Sequence, residues 1–160
     1  MPDQVDLAQI YRRHGPMVFR RARQILGSDA DAGEVVQDVF LSLFERPAQF
    51  SAASSLTTFL YSATTHACLN RLRNQRTRAK LREERSAELV SSGHPLTPEQ
   101  LLVLQTTLRS MPPELAHVAV YHFMDGMTRD EIAEVMGCSL RHVGNQLVRA
   151  QSWFEQREAT

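Results

Sequence analysis

The sequence predicts an all-α chain made of two small helical domains joined by a flexible connection. Apolar residues recur every three or four positions over long stretches and seldom alternate with polar ones, which is the period of a helix and not of a strand. Helix breakers are sparse, with seven Gly and seven Pro in 160 residues. One stretch, Ser86 to Leu96, loses the periodicity and gathers Ser91, Ser92, Gly93 and Pro95, the composition of a linker. The expected boundaries are therefore 1–85, a linker at 86–96, and 97–160. Modules this small bury proportionally little surface, so each needs close helix packing or a partner.

In chain order, Leu7, Ile10, Tyr11, Val18, Ala22 and Ile25 mark a first helix that Pro16 is expected to kink or restart, and that Gly27 ends. Val35, Val36, Val39, Phe40, Leu43 and Phe44 mark a second, for which Asp31 and Glu34 offer a capping-box start and Pro47 a stop. The segment Ala48 to Ser55, with Phe50 inside it, reads as an ordered loop. A third helix should turn Leu56, Phe59, Leu60, Ala63 and Ala67 inward and run on into a row of arginines. After the linker, Thr97-Pro98-Glu99-Gln100 is a compact helix start, with Thr as cap, Pro at the first helical position and Gln able to reach back.

The most informative pattern lies near the end. Thr128-Arg129-Asp130-Glu131 is a capping box that opens a short helix with Ile132, Ala133, Val135 and Met136 inward, and Gly137 ends it. Ser139 can cap the next helix, whose apolar stripe is Val143, Leu147, Ala150 and Phe154. Short helix, glycine turn, second helix is the helix-turn-helix pattern. The outward face of the second helix is expected to carry Arg141, His142, Asn145, Gln146 and Arg149, which can hydrogen-bond base edges or phosphates in a major groove. An ordinary surface helix would also show polar residues opposite an apolar stripe.

Charge adds a second clue. Eighteen basic residues balance eighteen acidic ones, but not locally. Asp29 to Glu45 holds five acids and no Lys or Arg, whereas Arg71 to Arg85 holds seven bases against two acids. One region suits a basic protein partner and the other suits phosphate.

Other chemistries lack a foothold. The six His show no HxxxH or HExxH spacing, and His117 and His122 stand five apart, too far round a helix to share a face. Cys68 and Cys138 form no CxxC pair and read as ordinary thiols. No Gly-rich phosphate loop and no GxSxG elbow occurs. No catalytic residue, no metal and no cofactor are expected. Neither a secretory leader nor a run of roughly 18 apolar residues is present, so a soluble protein of the cytoplasm, without direct membrane insertion, is expected.

Across roughly residues 7 to 85 and 97 to 155 the chain resembles the extracytoplasmic-function group of the sigma-70 family. Ala32-Gly33-Glu34-Val35-Val36-Gln37-Asp38-Val39-Phe40 is similar to that family's AEDLVQEVF helix, and Phe59-Leu60-Tyr61 to its WLY. Leu108-Arg109-Ser110-Met111-Pro112-Pro113, Glu131-Ile132-Ala133 and Val148-Arg149-Ala150-Gln151 resemble its LxxLPxxxR, EIA and RAR elements. The likeness implies a region 2 bundle and a region 4 helix-turn-helix that bind core RNA polymerase and promoter DNA. Glu34, Gln37, Asp38 and Leu41 would meet the polymerase clamp helices, with the flap as a second polymerase contact. Phe50, Tyr61, His66 and Asn70 would hold unstacked bases of the minus-ten element, where stacking is worth about 1–3 kcal/mol per base. Arg71, Arg73, Arg76 and Arg78 would hold its phosphates. Thr128, Arg129, Arg141, His142, Asn145, Gln146 and Arg149 would read the minus-thirty-five duplex. An anti-sigma factor as antagonist is a further implication.

The departures from the family pattern matter. Phe59 stands where Trp is common, and Thr64-Thr65-His66 replaces the element AxN. In the recognition helix, set against a usual GTVKSRLxRAR, two expected bases have become Gly144 and Gln146. The upstream element is therefore expected to be unusual or weakly read. Two competing readings stay open: a sigma-like module that binds polymerase or an antagonist without productive promoter reading, and a plain repressor or activator. The latter would have no role for the acidic helix and would usually dimerise on paired half-sites.

Overall fold

The computed structural model describes residues 6–47, 55–74 and 96–159. Among them the chain is helical: α1 (Leu7–Leu26), α2 (Asp29–Glu45), α3 (Leu56–Asn74), α4 (Pro98–Ser110), α5 (Pro113–Ala119), α6 (Arg129–Met136) and α7 (Leu140–Glu158). A π-helical turn, Val120–Met124, continues α5. Two compact units are formed, 1–105 and 106–160. The division falls inside α4, beyond the expected 86–96 connection, most of which lies outside the described residues.

The first unit is built on the mutual packing of α1, α2 and α3. α1 starts at Asp6, whose side chain accepts from the Gln9 amide, and runs unbroken through Pro16 to Gly27. The expected restart at Pro16 is thus absent. A proline removes one amide donor, but Val18, Ala22, Ile25 and Leu26 beyond it are fully buried, and that burial holds the helix together. Gly27 takes a left-handed φ of 70° and donates its amide to the Arg23 carbonyl 2.7 Å away, closing the helix.

α2 begins earlier than its sequence suggests. Its cap is Ser28, whose Oγ accepts from the Asp31 amide at 3.3 Å, while Asp31 and Glu34 are engaged elsewhere. Serine is as good a cap as aspartate, and Ala32 and Val35 beyond it are buried in the core. Phe44, expected inward, is 62% exposed.

α3 buries Leu60, Thr64, Thr65, Cys68, Leu69 and Leu72, while Phe59, Ala63 and Ala67 are only half-buried. The inward face is therefore turned from the expected one. Thr64 and Thr65 can enter the core because each hydroxyl donates to the carbonyl four residues back, Thr64 to Leu60 at 2.6 Å and Thr65 to Tyr61 at 3.0 Å. A hydroxyl satisfied within its own helix no longer opposes burial.

The first part of α4 belongs to this unit. Thr97 and Gln100 cap it reciprocally, Thr97 donating its amide to Gln100 Oε1 and Gln100 its amide to Thr97 Oγ1. Further along, buried Gln105 donates through Nε2 to the carbonyls of Leu26 at 2.8 Å and Ile25 at 3.3 Å. These are end carbonyls of α1 that no residue of α1 can satisfy.

In the second unit α5 and α6 pack on α7. The core is Leu108, Met111, Leu115, Val118, Tyr121, Ile132, Val143, Leu147 and Ala150. Pro112 and Pro113 separate α4 from α5, with Pro113 at the first position of α5, where a missing amide costs nothing.

Candidate polymerase and nucleic-acid interfaces

The heptad arithmetic of α2 decides what it shows to solvent. Its buried set occupies one side, and Glu34, Gln37, Asp38 and Leu41 are all exposed on the other. Phe44 follows Gln37 by seven residues, almost two full turns, and so joins that outer face. The result is an exposed strip in which Leu41 (55% exposed) and Phe44 are flanked by carboxylates. Apolar centres with a charged rim are the usual composition of a protein-binding surface. Phe44 escaped notice because it stands four residues after buried Phe40, a spacing that also fits the inward stripe. The edge-to-face contact of Tyr11 with Phe40, 5.1 Å between centroids, ties α1 to α2 behind this face.

On α3 the expected minus-ten residues divide. His66 and Asn70 are exposed, one turn apart on the same side. Tyr61 stands roughly 140° round the helix from His66 and is half-buried, with the Arg21 guanidinium 4.4 Å over its ring. Arg21 is itself buried and donates to Thr65 Oγ1 at 3.3 Å and to Gln24 Oε1 at 3.4 Å. Arg71, expected on phosphate, turns instead toward α2, where it pairs with Asp31 at 3.2 Å and with Glu34. Arg73 is half-buried in the last turn of α3. Phe50, Arg76 and Arg78 lie outside the described residues. Cys68 of α3 is buried, and its thiol is pushed up to about 12 by desolvation, against a smaller lowering by Arg21. Such a thiol is chemically quiet.

The helix-turn-helix is built as its sequence indicates. Thr128 Oγ1 accepts from the Glu131 amide at 3.2 Å, and Glu131 Oε2 accepts from the Thr128 amide at 2.8 Å. Thr128 is thereby committed to the start of α6. Gly137, at φ 65°, ends α6, and Ser139 Oγ accepts from the His142 amide at 3.1 Å to start α7. The left-handed residue is what lets the chain turn within three positions. Ile132 is buried, and Ala133, Val135 and Met136 are half-buried.

On α7, Arg141, His142, Asn145 and Arg149 are exposed, whereas Gln146 is not: it is 7% exposed. Its position next to Leu147 turns it toward the interior, and its amide is spent on side-chain bonds. Arg149 donates to Gln146 Oε1 at 3.2 Å, and Gln146 Nε2 lies 3.4 Å from His142 Nε2. Arg149 also reaches Glu114 of α5 at 3.5 Å. The Arg129 guanidinium stands 3.9 Å from where a Cβ on Gly144 would be. His117 and His122 are held separately, each donating Nδ1–H to a carbonyl, of Pro113 and Met127 respectively. Among the described residues no three His, Cys, Asp or Glu gather as metal ligands. No helix among them is long and apolar enough to cross a membrane.

Comparison with known proteins places this architecture. Residues 10–78 match the family model Sigma-70 region 2, and residues 101–151 match Sigma-70, region 4. The chain is 28% identical over 153 residues to an ECF RNA polymerase sigma factor, SigE, of Mycolicibacterium smegmatis, covering 89% of this chain and 58% of that protein. It is 27% identical over 152 residues to the ECF RNA polymerase sigma factor SigM of Mycobacterium tuberculosis, covering 94% and 76%. In fold it resembles CnrH, solved in complex with the cytosolic domain of CnrY, with a TM-score of 0.55 at 22% identity over 94% of this chain and 86% of that one. The second matched region begins at residue 101, so it takes in residues 101–105 of α4, which belong to the first unit. With both regions matched in order, the chain belongs to the sigma-70 family, in its extracytoplasmic-function group.

Proposed function

We propose that the chain binds core RNA polymerase and directs it to specific promoters. The observation that carries this is the exposed strip of α2, Glu34, Gln37, Asp38, Leu41 and Phe44, on a chain that also holds a capped helix-turn-helix. A DNA-binding protein working alone would have no use for such a strip, since carboxylates there repel phosphate. As a polymerase-docking face it has a use, because apolar anchors inside a charged rim make a small interface selective. Residues 1–85 take the role of docking and minus-ten recognition, 86–96 connect, and 97–160 read the upstream element. His66 and Asn70 meet the melted strand, and a role there is also assigned to Tyr61, Phe50, Arg73, Arg76 and Arg78; Arg71 serves the docking face. Arg129, Arg141, His142, Asn145 and Arg149 meet the upstream duplex.

The protein acts in the cytoplasm, as an initiation factor and not an enzyme. From the likeness to the extracytoplasmic-function group, a protein antagonist of the anti-sigma kind is proposed for this chain; CnrH was itself solved with a second protein, the cytosolic domain of CnrY.

The test is run-off transcription with purified core polymerase on a library of randomised promoters. Enrichment of a two-part promoter motif is expected. Core binding without transcripts would favour a sigma-like module that has lost promoter reading, the alternative that Gly144 and buried Gln146 keep open.

A further inference from the structure

Gln146 sits where the family pattern has a basic residue, yet it is buried and joined to two exposed residues of the same helix. The direction of these bonds follows from elementary chemistry. Arg149 can only donate, so the group of Gln146 that faces it is the carbonyl oxygen. The amide nitrogen then faces His142, 3.4 Å from Nε2, and it can donate there in the tautomer that leaves Nε2 without a proton. One buried amide thereby orients both His142 and Arg149, and Glu114 of α5 supports Arg149 from the other side. Beside this chain the bare backbone of Gly144 leaves room for Arg129, so a cation from α6 stands near the place where the family pattern puts one on the recognition helix itself.

We infer that Gln146 is a specificity-determining positioning residue: it does not touch DNA but holds His142 and Arg149 in one arrangement for reading the upstream duplex. This rests on the reading that the second unit binds that duplex. Preorganised side chains lose less freedom on binding, and a fixed pair reads base edges more selectively than two free ones. Phosphate contacts are a separate matter, because they set affinity without sequence information.

The test is selection of upstream elements by holoenzyme from a randomised library, comparing wild type with Gln146→Leu, Gln146→Glu, His142→Ala, Arg149→Ala and the double variant Gln146→Leu/Arg149→Ala. Gln146→Leu should lower base discrimination roughly three- to tenfold, the worth of one or two hydrogen bonds. The loss should fall at the same base positions that His142→Ala and Arg149→Ala affect, with the salt dependence of binding unchanged. In the Arg149→Ala background Gln146→Leu should cost less than in wild type, losing only the share due to His142, because coupled residues are not additive. Gln146→Glu still accepts from Arg149, and in place of donating to His142 it accepts from Nε2–H of the other tautomer, so it should keep the preference due to Arg149 and change that due to His142, whose Nδ1 turns from donor to acceptor. It also serves as the test if Gln146→Leu does not fold. Loss at a base position that neither His142→Ala nor Arg149→Ala alters would overturn the inference in favour of direct contact. Unchanged discrimination in both Gln146 variants would overturn it in favour of a passive core residue. A wild-type holoenzyme that enriches no upstream element would overturn the parent reading, and the inference with it, before any variant is compared.

Discussion

Arg71 of α3 and Asp31 of α2 face each other at 3.2 Å with only 19% and 15% of their side chains exposed, and the same guanidinium also reaches Glu34. An arginine expected on phosphate thus braces the docking face. Removing one partner of a largely buried pair leaves the other charge desolvated. Arg71→Leu should therefore destabilise the protein by about 1–3 kcal/mol and weaken core binding, while Asp31→Asn in that background costs little more. Urea unfolding of the four proteins of the double-mutant cycle measures the coupling.

Leu41 and Phe44 should behave in the opposite way. Both are exposed in the free protein, so Leu41→Ser and Phe44→Ser should change stability by less than about 0.5 kcal/mol. As interface anchors each should cost about 2 kcal/mol of binding, roughly thirtyfold in Kd. Thermal melts together with titration of labelled core polymerase separate the two effects. A normal Kd for both variants would remove the α2 strip from the interface.

Gln105 closes the end of α1 by donating to the carbonyls of Leu26 and Ile25. Gln105→Leu would leave them unsatisfied beside a buried side chain, at a cost of about 1–3 kcal/mol. Gly27→Ala adds strain at a left-handed residue, and its new Cβ would collide with Leu101 Cδ2. Both variants should speed hydrogen exchange in the last turn of α1. The amides of α7 provide the internal reference.

The buried Cys68 thiol carries a pH signature. Its pKa is raised from 9.0 to about 12 by desolvation, so above pH 9 the unfolded chain releases a proton that the folded chain keeps. Stability is then lost as pH rises from about 9 toward 12, at about 1.4 kcal/mol per pH unit. The contribution is fully present below pH 9. In Cys68→Ala this component of the slope should vanish, as measured by denaturant unfolding at several alkaline pH values. At neutral pH Cys68 should resist alkylation until the protein unfolds.

How far the sequence could be read differed from helix to helix, for physical reasons. Caps built from neighbouring residues were legible: Thr97 with Gln100, Thr128 with Glu131, and Ser139 before α7 all form as their types and spacing indicate. At α2 the spacing pointed to Asp31 as the start, yet Ser28 caps the helix and Asp31 pairs with Arg71, 40 residues on, a partner that spacing does not reveal. The inward face of α3 was misread because threonine is polar by type, and only its bond to a carbonyl four residues back makes it a core residue. Gln146 was placed outward for the same reason, since an amide looks like a base-reading group until its partners are seen.

By itself the sequence determined the all-α class, the helix-turn-helix, the acidic second helix and the family, because these follow from periodicity, short-range capping and motifs in a fixed order. Only the tertiary structure decided which polar side chains are spent inside. Arg71 is drawn onto Asp31 and Glu34, Arg21 lies over Tyr61, Gln105 meets the end of α1, and Gln146 stands between His142 and Arg149. Several of these partners lie some 40 to 80 residues apart, and a buried polar group must find a partner wherever packing brings one within reach. Spacing along the chain carries no record of that distance.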